Sequence, residues 1–125
     1  MNASRTAQMG YGAATAPIRT PRGTEYEAFA RITHRLRAAA ETGGTGLSQL
    51  AEALHENRRL WTILAADVAE PGNSLPPQLR AQIFYLAEFT IKHSGEILRG
   101  KADAAPLIEI NTAIMRGLRQ REAAA

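Results

Sequence analysis

Residues 70–78 read EPGNSLPPQ. Three prolines, a glycine and an asparagine between positions 71 and 77 stop any helix or strand arriving from either side. The flanking segments keep one period. Upstream, Leu47, Leu50, Leu54, Asn57, Trp61, Leu64 and Val68 step by three and four, a heptad-like seam with one polar member, and Leu60 and Ile63 widen it. Downstream, Leu79, Ile83, Leu86, Thr90, His93 and Ile97 form one stripe, and Phe84, Ala87, Ile91 and Leu98 form a second. A rigid break between two helical patterns predicts a helical hairpin. The two stripes on its second arm predict a helix with neighbours on both sides, or one with a face left for a partner.

The turn carries its own local expectations. Asn73 or Ser74 is placed to cap the next helix, and Pro76 and Pro77 preset its entry. Leu75 is placed to pack on Leu79 as a hydrophobic staple. Arg80 lies in the first turn, against the dipole preference, so it calls for an acceptor, with Asp67 or Glu70 the nearest carboxylates in sequence.

Two further helices complete the pattern. In TPRGTEYEAFARITHRLRAAAETGG, Phe29, Ile32, Leu36 and Ala40 recur at helical spacing. Thr20 with Pro21, or Thr24 with Glu27 as a capping box, starts this helix, and Gly43 and Gly44 end it. In GKADAAPLIEINTAIMRGLRQREAAA, Asp103 is the expected N-cap and Pro106 falls in the first turn. Leu107, Ile110, Ile114 and Leu118 make its main stripe, with Ile108 and Met115 beside it. β-Branched residues follow helical rather than alternate spacing. The predicted fold is therefore all-α: a single-domain up-down helical bundle of about four helices over residues 20–125, preceded by a flexible N-terminal arm over residues 1–19. Tyr11, with Met9 and Gly10, is the one feature of that arm able to anchor on the domain.

Charge and composition narrow the function. Three of the fifteen basic residues (Arg5, Arg19 and Arg22) fall within residues 1–22, where no acidic residue occurs. The remainder holds twelve basic and twelve acidic side chains. The positive excess belongs to residues 1–22, which lowers the expectation of a nucleic-acid reader built on the domain surface. Cysteine is absent, so disulfides and thiolate metal sites are excluded. No apolar run approaches the roughly 20 residues that span a bilayer, and the first residues lack a signal-peptide core. A cytoplasmic protein with no membrane partner is expected.

No catalytic constellation is visible, so an enzyme, a cofactor, a bound metal and a small-molecule substrate are not expected. HENRR at residues 55–59 opens like a zinc-protease helix, but Arg59 stands where the second histidine must be. GGTG at residues 43–46 lacks the lysine and the length of a phosphate loop.

The segment W..LAADVAEPGNSLPPQLRAQIFYLAEFT, from Trp61 to Thr90, resembles the flagellar biosynthesis regulator FlaF family. MGYG followed by TPRGTEYEAFARITHRLRAAA extends the likeness, which covers roughly residues 9–99. The motif falls on Trp61, Asp67, Asn73, Leu75, Pro76, Leu79 and Arg80. The resemblance implies a protein that supports flagellin production and export after transcription, together with the regulator FlbT, and that chaperones flagellin. A bundle with a spare apolar stripe suits that role, because a disordered flagellin terminus can fold as a helix into an apolar groove. Tyr11, Phe84, Phe89 and Ile91 are the expected partner contacts, whereas Trp61 is expected in the core. An RNA-associated regulator acting on flagellin messenger, or a scaffold for FlbT, is the alternative.

Overall fold

The computed structural model describes residues 22–42 and 47–124, with side chains over residues 26–42 and 47–117. The described residues form four helices and no strand: α1 (Arg22–Glu41), α2 (Leu47–Ala69), α3 (Pro77–Leu98) and α4 (Ala105–Ala124). The fold is the all-α helical bundle that the periodicity predicts. Arg31–Ala113 forms one compact unit, and the start of α1 up to Ala30 and the part of α4 from Ile114 belong to a second. The expected arm with Tyr11, and the GGTG segment, lie outside the described residues.

Within Arg31–Ala113 an apolar core joins Leu36 of α1, Ala53 and Leu54 of α2, Ile97 of α3, Ala104 and Leu107. Leu50, Phe89, Ala102 and Ile108 pack against it from partly buried positions. Burial of Leu36, Leu54 and Leu107 is complete, which stabilises the fold by on the order of 1.5–3 kcal/mol each. In the other unit Phe29 is buried.

The α2 seam holds at Leu54, Asn57, Trp61 and Val68, all buried. It fails at its start, where Leu47 is 61% exposed at the first residue of the helix. Ile63, expected to widen the stripe, is also exposed. It lies two residues from Trp61, roughly 200° around the helix, and so turns away from the buried side.

Asn73 organises the turn through four groups. Its Nδ2 donates to the Asp67 carbonyl at 3.1 Å, and its Oδ1 accepts the Leu75 N–H at 3.0 Å. Its backbone N–H donates to the Glu70 carbonyl at 3.0 Å, and its own carbonyl accepts Nη1 of Arg80 at 3.3 Å. The expected cap is corrected accordingly. Pro76 occupies the N-cap of α3 without a side-chain bond. Asn73 is too far upstream to reach the helix and closes an Asx turn instead. Pro77 takes the first helical position, where its missing N–H leaves no hydrogen bond unmade. Arg80, adverse to the dipole, gains the Asn73 carbonyl as an acceptor.

α3 ends in a Schellman motif. Gly100 adopts φ +77°, its N–H reaches the Ile97 carbonyl, and the Lys101 N–H reaches that of Glu96. At the start of α4, Asp103 Oδ1 accepts the Ala105 N–H at 3.0 Å. The Ala104 carbonyl accepts from Leu107 and Ile108. Asp103 thus sits one residue ahead of the cap that was expected of it. α1 already includes Arg22, so Thr24 lies inside the helix rather than capping it.

Candidate partner-binding face on the third helix

α3 resolves its two stripes differently. Ala87, Thr90, Ser94 and Ile97 are buried, and Leu79, Ile83, Leu86 and His93 are half-buried beside them. Of the second stripe only Ala87 turns inward, at 1% exposure. Phe84, Ile91 and Leu98 remain open at 42%, 39% and 43%. Seven residues separate each from the next, so the three align along the helix within roughly 20° per step. Tyr85, 65% exposed, stands beside the row near the turn. With Pro76, Gln78, Leu79, Ala81 and Gln82 it lines a shallow open groove.

Phe89 departs from the expectation of an exposed contact. It is half-buried against the core and stacks on His93, with ring centroids 5.1 Å apart. Three residues from Leu86 and eight from Ile97, it sits on the flank of the buried face. His93 donates Nε2–H to the Asp103 carbonyl at 2.9 Å, which ties α3 to the loop before α4. Of the expected contacts, Phe84 and Ile91 are open, Phe89 is not, and Tyr11 lies outside the described residues.

The interior has the opposite character. Asn111 of α4, fully buried, donates Nδ2–H to Asn57 Oδ1 at 2.8 Å and to Thr33 Oγ1 at 3.1 Å. Its Oδ1 accepts the Trp61 indole N–H at 2.9 Å. One side chain therefore binds α1 and α2 to α4. Asn111 was missed in the sequence, although it lies four residues beyond Leu107 and three before Ile114, the spacing that singled out Asn57. Nearby in sequence to the open row, Ser94 donates its hydroxyl to the Thr90 carbonyl at 2.7 Å inside α3. Asn57 Nδ2, Thr90 Oγ1 and Arg80 Nε are buried with no protein partner.

The surface between α1 and α2 is polar. His34, Arg35, Gln49, Glu52 and Glu56 line a groove floored by Ala38, Ala39 and Ala53. Arg35 Nη1 bonds both Glu56 carboxylate oxygens, at 2.7 and 2.6 Å. The hydrogen bond to Glu56, followed by its charge, raises the Arg35 pKa above the ordinary value. Among the described residues no group of three His, Asp or Glu side chains is placed to hold a metal ion.

The residues matching the family motif serve the fold. Trp61 is fully buried, as expected. Asn73, Pro76 and Arg80 build the turn, Leu75 and Leu79 are half-buried around it, and Asp67 lends its carbonyl. A family model described as "Flagellar protein FlaF" matches residues 7–118, most of the chain. The chain belongs to the FlaF family. No curated protein and no solved structure gives a match. No helix among the described residues is long and apolar enough to cross a membrane.

Proposed function

We propose that this FlaF-family protein is a flagellin-binding export chaperone and post-transcriptional regulator of flagellin production. It receives a helical flagellin segment along the apolar row of α3. The observation that carries the reading is the alignment of Phe84, Ile91 and Leu98, three large apolar side chains left open on one helix of a flagellar-family chain. A client helix with apolar residues at the same spacing buries the row and withdraws its own sticky face from aggregation before export. The reading assigns the cytoplasm as the place of action, no catalytic step, and FlbT as the second protein of the regulatory system.

The test is calorimetric titration of purified flagellin into the wild-type protein and into Ile91→Asp. Binding by the wild type and at least about a tenfold weaker affinity for the variant, equivalent to ~1.4 kcal/mol, support the reading. Equal affinities overturn the assignment of the row. Purified FlbT in place of flagellin tests the scaffold alternative. A steep loss of affinity for flagellin messenger with salt, in the absence of flagellin binding, favours direct action on RNA.

A further inference from the structure

The open row has a property that reaches beyond a client site: it is complementary to itself. Along α3, Phe84, Glu88, Ile91, Gly95 and Leu98 step by four, three, four and three, which is a heptad seam with Glu88 and Gly95 at its two non-apolar positions. The seam is symmetric about Ile91. Phe84 lies seven residues before it and Leu98 seven after.

We infer that this row pairs two copies of the chain, antiparallel, about a twofold axis at Ile91. In such a pair, a residue n positions before Ile91 faces the residue n positions after it on the other copy. Ile91 then meets Ile91 of the second copy, and Phe84 meets Leu98 of the second copy. Each large apolar side chain of the row covers another, as an isologous contact requires.

Charge fits the same arrangement. Glu88 and Lys92 are both exposed, and both project to the same side of the seam, roughly 40° apart. A twofold axis perpendicular to the helices brings like sides together. Glu88 therefore faces the neighbourhood of Ser94 and Gly95 of the second copy, and Lys92 of that copy lies only two residues, roughly 3 Å, further along the axis. Gly95 removes the side chain that would stand opposite Glu88. Arg99 does not oppose this, because its guanidinium is drawn to Glu96 of its own helix. The result is two Glu88–Lys92 pairs across the interface; the two Lys92 side chains, also roughly 3 Å apart along the axis, sit farther round the helix from the seam than Glu88 does. The opposite orientation, two parallel helices, would set Glu88 level with Glu88 across the seam and put the two Lys92 side chains on opposite flanks, so no Glu88–Lys92 pair would form.

One helix seam buries less than the ~1,200 Å² at the low end of stable interfaces, so the pairing is weak and concentration-dependent. Where the flagellin reading also holds, a second copy and a client compete for one surface. The two are tested apart, because pairing is measured with no flagellin present.

The absence of cysteine gives a direct test. In Ile91→Cys the two new thiols meet at the twofold axis, within the Cα separation a disulfide tolerates. Leu47→Cys places a more exposed thiol off the row. Under mild oxidation Ile91→Cys is expected to form disulfide-linked dimer many-fold faster than Leu47→Cys. In analytical ultracentrifugation the wild-type mass is expected to rise toward the dimer with concentration. Glu88→Lys and Lys92→Glu are each expected to suppress that rise, and the two together to restore it. Equal cross-linking of the two cysteine variants, a monomer mass at every concentration, or a double swap that stays as weak as the single ones would overturn the inference.

Discussion

The middle of α2 and the outer face of α3 use one sequence rhythm to opposite ends. On α2, the steps of three and four that pass through Leu54, Asn57, Trp61 and Val68 run into the interior and carry an asparagine with them. On α3, the same rhythm through Phe84, Ile91 and Leu98 runs along the surface. The interior at Asn57, Asn111, Trp61 and Thr33 is bound by directed hydrogen bonds, and the surface row is bare grease. Directed bonds demand one register between helices, since a shifted helix strands buried donors. An apolar row demands only spacing, and so accepts any helix that supplies it. The difference separates the part of the molecule that specifies the fold from the part that is free to bind.

The largest expected effect breaks the interior side of this comparison. Trp61→Ala removes a fully buried indole and leaves Asn111 Oδ1 without its donor. A loss of about 3–5 kcal/mol is expected, read as the shift in urea midpoint. Asn111→Ala comes next. It strands the Trp61 N–H and removes the donor to Asn57 and Thr33, at ~1–3 kcal/mol for each buried group left unpaired. If Asn111→Ala unfolds at the wild-type midpoint, the network is incidental rather than specifying. Asn73→Ala opens the α2–α3 turn by removing both side-chain bonds, with an expected cost of about 1–2 kcal/mol. Ile91→Asp sharpens the comparison from the other side. Its side chain is open, so stability should move by no more than about 0.5 kcal/mol while binding through the row is lost. Smallest is the surface pair Arg35–Glu56, for which a double-mutant cycle should show a coupling that fades as salt is added.

Most of the architecture was legible, because breakers and period act locally. Pro71 to Pro77 stop helices wherever they stand, and the four helical segments follow from spacing. What local reasoning missed is the direction in which a periodic stripe faces. Leu47 and Ile63 fit the α2 pattern yet are exposed, one at a helix start and the other on the outer side. Phe89 looked free because it lies off the main stripe, but a buried face spans more than one row, and its flank took the ring. Asn111 carried the same positional signal as Asn57 and was passed over because its neighbours Ile110 and Ile114 drew the stripe. Asn73 was recognised as a turn residue, but the choice between capping α3 and closing an Asx turn depends on where Pro76 sets the helix start.

The central claim is that the row on α3, and not the polar interior, meets the client. Hydrogen exchange of the full chain with and without purified flagellin tests it residue by residue. The account predicts added protection concentrated from Phe84 to Leu98, with the amides around Asn57 and Asn111 unchanged. Protection confined to α2 or α4, with α3 exchanging as in the free protein, would contradict it.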